Sequence, residues 1–300
     1  MSKSFGALVA VVAAALSFAG GQASTAAAAA PQHYAFAKIA SPQDPTFTQL
    51  LGINDANRIA GYFGSGATAA HPNKGFTLVL PARFTSENFP NSAQTQVIAI
   101  DDRNDTAGFY IDQAGVNHGF MRSARGTFTT VDVPGTTFNQ VLGIDDRSRA
   151  AGFFQDGAGL DHAWIRDAFG NFTVLAIPQP SSQATGINDD GTVVGFMQPN
   201  QNSSSGFILR DNRVQSLNFP GSSFTQALGE NDYGQVVGQY NDANGVTHGF
   251  VWSNGAFRSV DVPGASATTV NGINNHGRIV GFFTDAAGNT VGFVGTPNSH

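Results

Sequence analysis

Residues 229–250, GENDYGQVVGQYNDANGVTHGF, and residues 272–293, GINNHGRIVGFFTDAAGNTVGF, are two copies of one pattern set 43 residues apart. Each copy alternates short β-branched or aromatic runs with Asn, Asp and Gly, the composition of strands joined by tight turns. Outward from this pair the pattern recurs four more times. Its opening signature, Gly/Ala-Ile-Asn/Asp-Asp/Asn, starts at Gly52, Ala99, Gly143, Gly186, Gly229 and Gly272, with Glu230 alone replacing the isoleucine. The intervals are 47, 44, 43, 43 and 43 residues. A second glycine stands nine residues into each copy, at Gly61, Gly108, Gly152, Gly195, Gly238 and Gly281, and an aromatic residue follows five of the six. A third marker is an aromatic preceded by Gly or Ala, at Phe76, Phe120, Trp164, Phe207, Phe250 and Phe293. Three markers in phase over six copies define a structural repeat.

Each copy divides into four strand-like runs, here named a, b, c and d. In the fifth copy they read FTQALGE, QVVGQY, THGFVW and AFRSVDV. The a–b turn opens on Asn54, Asp145, Asn188, Asn231 or Asn274. Three residues on stands Gly191, Gly234 or Gly277, or Asn57, Asn104 or Ser148 in the other copies. That chemistry fits a type I turn followed by a left-handed residue, with the first Asx capping it. Calcium ligation is the sharper reading of the paired Asn/Asp. A single turn offers too few carboxylates for the six to eight oxygens calcium takes, so no metal site is expected.

A four-stranded repeat of ~40–45 residues is the size of a propeller blade. An open solenoid would need distinctive end caps, and none is visible. The expected fold is therefore all-β: a six-bladed propeller of four-stranded blades. The ends support closure. YAFAKIASP, residues 34–42, reads as a d strand before the first a strand, and the sixth copy stops soon after its c strand, near His300. The leading strand should complete the last blade, leaving no open edge in the ring. The expected domains are residues 1–30, a signal peptide with an Ala-rich processing region, and residues 31–300, one propeller. Its repeats should start near 46, 93, 137, 180, 223 and 266.

The first segment has Lys3, an apolar run from Phe5 to Gly20, and Gly21 and Ala23 placed as a cleavage pair. Cleavage is expected between Ala23 and Ala30, and the mature protein should be secreted or periplasmic. The run is shorter than the ~20 residues of a spanning helix, so no stable membrane insertion is expected. The chain has no cysteine, which rules out disulfides and a cysteine-linked lipid anchor. Its formal net charge is −6 with no basic cluster, which argues against nucleic acid as a partner. At this stage the chain reads as a monomer.

The pattern, best developed in Gly229–Phe250 and Gly272–Phe293, is similar to the HAF repeat of bacterial extracellular proteins. The similarity runs over nearly all of residues 34–295. It implies export and a propeller-like repeat array, and it implies no catalytic residue.

Candidate ligand-binding positions follow from the repeat. Gln49, Gln96, Gln140, Gln183 and Gln226, with Thr269 in the sixth copy, stand three residues before the a-strand marker. Strand a is expected to be innermost, so these side chains should form a ring around the axis. The ring could hold a sugar or a peptide backbone, or lock each blade to its neighbour. Glu230 replaces isoleucine and Gln239 replaces the aromatic in the same copy, suggesting a polar interior to blade five. A buried carboxyl needs solvent, a partner or a proton. His118, His162 and His248 precede the c-strand marker in three different copies. They are read as capping a turn or bonding to backbone, not as metal ligands. The b–c loops of copies one and four depart from the repeat and are weaker candidates. No nucleophile or phosphate-binding motif appears, and no cofactor is expected. The resulting reading is a non-catalytic scaffold that binds glycan or an extracellular protein. The alternative is a glycan hydrolase or lyase using Glu230 in an axial pocket, which would need a second carboxylate.

Overall fold

The structure, a computed structural model, describes residues 34–298. The signal-peptide expectation for residues 1–30 lies outside them. No helix among the described residues is long and apolar enough to cross a membrane.

The a–b turns set the geometry of everything else. In all six, the backbone N–H of the fourth residue donates to the carbonyl of the opening Asx. The opening side chain accepts from the fifth residue, at 2.7–3.0 Å. The fourth residue is left-handed each time: φ is 59° at Asn57, 66° at Asn104, 62° at Ser148, 82° at Gly191, and 72° at both Gly234 and Gly277. Gly, Asn and, less readily, Ser tolerate that region, which is why only these residues occupy it.

Strands a to d then run antiparallel in sequence order, giving four-stranded sheets. The inner strands are Thr48–Ile53, Gln94–Ile100, Asn139–Ile144, Ser181–Ile187, Thr225–Glu230 and Ala267–Ile273. Every one carries a bulge just before its marker residue, as between Ala227 and Gly229. The marker glycines are explained by close approach between blades. A Cβ on Gly143 would lie 2.9 Å from the Cα of Gly186 in the next inner strand. The second glycine has a different cause. It faces the strand-c aromatic in register, Gly238 opposite Phe250 for example, and a Cβ there would sit 2.9 Å from that ring. The six strand-c aromatics are all fully buried.

The apolar core is shared between blades. Leu50, Ile53, Ile59, Phe76 and Leu78 of blade one pack with Val280 and Val294 of blade six. That junction closes the ring. Blade six is assembled from both ends of the chain: Tyr34–Ile39 pairs antiparallel with Thr290–Pro297, in the order d, c, b, a. A bridge from Phe47 to Thr290 fastens blade one beside it. The six expected sheets and their closure by the leading strand are thus present.

Candidate functional site

Six inner strands converge on one axis, and side chains at equivalent positions form stacked rings. The glycine neck separates two openings. On the side of the d–a and b–c loops, a more enclosed, largely apolar cavity of about 500 Å³ is lined by Gln49, Gln96, Gln140 and Gln183 with Leu51, Leu142 and Leu228. On the side of the a–b turns, a more open polar depression holds about 440 Å³ of empty space, the solvent at its mouth included.

The glutamines do meet at one level, but most are engaged. Gln49 accepts from the Tyr62 hydroxyl at 2.9 Å. Gln96 donates to Asn73, and Gln183 donates to Asp161, both in the preceding blade. Gln239 donates to Gln226 at 2.8 Å and accepts from Thr269 of the next blade at 2.8 Å. Gln239 therefore bridges blades five and six. The Gln140 Nε2 is shut off from solvent and has no partner among the described residues. Gln239 and Glu230 do not form one polar patch: Gln239 lies opposite Gln226, while Glu230 lies opposite Val236 at the other end of the strand.

The three histidines sit in separate blades, each paired with a carboxylate of its own blade. His118 Nδ1 lies 2.6 Å from Asp132, His162 Nε2 2.8 Å from Asp156, and His248 Nδ1 3.0 Å from Asp261. Each ring also stacks on a strand-b aromatic: Tyr110, Phe154 or Tyr240. A carboxylate partner replaces the expected backbone one because Asp recurs at the start of the b–c turn and the end of strand d.

The a–b depression is built in two layers. At its mouth lie the second Asx residues of the turns: Asp55, Asp102, Asp146, Asp189, Asp232 and Asn275. Each accepts, through Oδ1, the backbone N–H of the equivalent residue in the preceding blade. The six bonds, 2.7–3.0 Å long, run Asp55 to Asp102 and onward, ending with Asn275 donating back to Asp55. The circle is complete. The first Asx residues reinforce it: Asn54, Asn188, Asn231 and Asn274 each donate an amide N–H to the neighbouring blade's carbonyl. Asp101 and Asp145 cannot donate. There Arg149 donates to the Asn188 and Asp189 carbonyls, and Arg103 reaches Ser148, each guanidinium also pairing with its own blade's aspartate.

Beneath that ring stand Ile53, Ile100, Ile144, Ile187 and Ile273, with Glu230 in the sixth place. Both Glu230 carboxyl oxygens are out of solvent contact and have no hydrogen-bond partner among the described residues. Burial pushes this carboxyl well above its ordinary value of 4.5, against the pull of Arg210 and with help from Asp232. Burial also raises Asp101 to about 6. Asp102 is raised first by desolvation and then by the charges of Asp55, Asp146 and Asp232, against the N–H it accepts.

The second-Asx ring was not among the sequence candidates. A signal for it exists: one Asx suffices to cap a turn, so a second in every copy needs another role.

No protein-family profile and no curated protein sequence matches the chain. Solved structures do match its fold. A mutant of AofleA from Arthrobotrys oligospora aligns with TM-score 0.55 at 10% identity, over 85% of each chain. A mutant of Aleuria aurantia lectin in complex with Fucα1-6GlcNAc aligns with TM-score 0.54 at 10% identity, over 83% of this chain and 91% of that one. A luciferin-regenerating enzyme aligns with TM-score 0.54 at 10% identity, over 88% and 95%. At such identities the likeness is one of fold, and the same fold carries both lectins and enzymes.

Proposed function

We propose that this chain is an exported recognition propeller that binds glycan over its a–b face without transforming it. The observation that carries this reading is the contrast between floor and rim. The floor is repeated and bonded blade to blade. The turn tips beside it are Ala56, Arg103, Arg147, Asp190, Tyr233 and His276, all exposed and all different in character from blade to blade except the two arginines. A type I turn accepts most residues at this position, so the scaffold does not dictate them. Tyr233 is 76% exposed. An aromatic face flanked by guanidinium, carboxylate and imidazole groups suits a polyhydroxylated ligand, which offers C–H faces to stack and hydroxyls to bond.

The fold likeness to Aleuria aurantia lectin, solved with a fucosylated disaccharide, supports the ligand class. The leader-like residues 1–30 and the resemblance to HAF repeats support export. Against hydrolysis stand the occluded oxygens of Glu230 and the commitment of every ring Oδ1 to a neighbouring blade. The test is a glycan array probed with the cleaved protein and with Tyr233→Ala. A defined subset of glycans should be retained, and the variant should bind about tenfold more weakly, as loss of ~1.4 kcal/mol of stacking implies. A folded protein that retains no glycan at high micromolar concentration overturns the proposal.

A further inference from the structure

We infer that the axial cavity on the d–a and b–c side of the glycine neck is a binding site for one small, uncharged, hydrocarbon-rich molecule bearing a ketone or hydroxyl oxygen. The bulges of the inner strands build it. In every blade the pairing of strands a and b skips one residue: Leu51, Ile98, Leu142, Thr185, Leu228 and Asn271. A bulge takes its extra residue out of the ladder and re-aims the side chain. All six skipped residues line this one cavity. The bulges thus bring one residue per blade to the axis, as a ring.

The chemistry of the ring selects the ligand. Four of its six members are aliphatic. The Thr185 hydroxyl is spent on the Ala227 carbonyl, to which it donates at 2.9 Å. Phe109 and Phe196 add aromatic wall, and Gln49, Gln96 and Gln183 are bonded to other side chains of the protein. No ionisable side chain among the described residues lines the cavity. Water gains little in such a place, because a buried water needs about three polar partners. A charged ligand would lose its solvent with nothing of opposite sign to meet it. A neutral hydrocarbon body suits the walls.

Asn271 supplies the polar contact. It stands in the ring between Leu228 and Leu51 and is partly exposed. Its Oδ1 is shut off from solvent without a partner among the described residues. Its Nδ2 makes no hydrogen bond to any described residue, so that N–H is the group left for a ligand. An amide N–H donates to a ketone or hydroxyl oxygen. The cavity shares no lining residue with the a–b depression, so the site is separate from the surface proposed for glycan and independent of it.

The experiment is a ligand-observed NMR titration of the full chain with acetophenone, ethylbenzene and benzoate, three probes of similar size. Acetophenone should bind saturably at one site, with Kd ~0.01–1 mM. Benzoate should bind about tenfold more weakly or not at all, because its charge has no partner. Leu142→Trp fills the ring and should abolish binding. Asn271→Leu should shift the preference between acetophenone and ethylbenzene about fivefold toward the hydrocarbon, as loss of one hydrogen bond implies. Phe169 is 93% exposed, in a c–d turn of blade three, and is where an apolar probe would adsorb. Phe169→Ser should leave acetophenone binding unchanged. Thermal melts establish that each variant is folded; if Leu142→Trp is not, the Asn271→Leu preference decides. No saturable binding of acetophenone overturns the inference. So do equal binding of benzoate, binding that persists in folded Leu142→Trp or is lost in Phe169→Ser, and a preference that Asn271→Leu leaves unchanged.

Discussion

Replacing Glu230 with isoleucine should stabilise the protein. The substitution completes the ring of Ile53, Ile100, Ile144, Ile187 and Ile273 and removes two carboxyl oxygens that have neither water nor a partner. A buried unsatisfied polar group costs about 1–3 kcal/mol. A domain somewhat above 250 residues shifts its Tm by roughly 2–4 °C per kcal/mol, so the centre of these ranges is a rise of about 6 °C. The effect depends on pH with a definite sign. Burial raises the folded-state pKa above the ordinary 4.5. Below 4.5 the carboxyl is protonated in both states. Above it the unfolded chain releases its proton while the folded chain retains it, so wild type loses stability relative to the variant as pH rises through the folded-state pKa. Melts of both proteins at pH 4 and pH 7 measure this. The Tm gap should favour Glu230→Ile and be wider at pH 7. A variant that melts below wild type, or a gap that narrows with pH, would refute the reasoning and point to a partner for Glu230.

Deleting residues 34–39 should abolish cooperative folding. The strand covers blade six with Tyr34, Phe36 and Ile39, worth about 1.5–3 kcal/mol each against a total of about 5–15 kcal/mol. Circular dichroism melts check this, and an unchanged Tm would contradict ring closure. Gly238→Ala forces a Cβ to 1.9 Å from the Gln226 carbonyl oxygen and 2.9 Å from the Phe250 ring, and should lower stability by about 1–3 kcal/mol in urea titrations. Asp146→Ala should cost about 0.5–1.5 kcal/mol by stranding the Asp102 N–H, whereas Asp146→Asn keeps the acceptor and should cost little; comparing their urea midpoints tests the ring.

The architecture was legible because each marker answers to a local cause. The left-handed turn position admits Gly, Asn or Ser. The marker glycines admit a neighbouring blade, and the strand-b glycines admit an aromatic ring. Such constraints act within one copy and recur six times, so they leave a periodic trace. The candidate site was less legible because it exists only once the ring closes. The second Asx of each turn contributes nothing to its own turn's cap; its partner is a backbone N–H 43 to 47 residues earlier, or 220 residues away between Asp55 and Asn275. Gln239 was visible as a departure from the pattern, but its bridge from Gln226 to Thr269 depends on blade packing that no local rule supplies. Glu230 stood out as the lone acid among isoleucines, and the structure adds that it lines the same depression as five aspartates.

The proposed recognition surface is the a–b face. Backbone hydrogen exchange of the cleaved protein, with and without the oligosaccharide that the array selects, tests that placement. Slowed exchange should concentrate in the turns at residues 54–57, 101–104, 145–148, 188–191, 231–234 and 274–277. Protection confined to the d–a and b–c loops, with these turns unchanged, would contradict it.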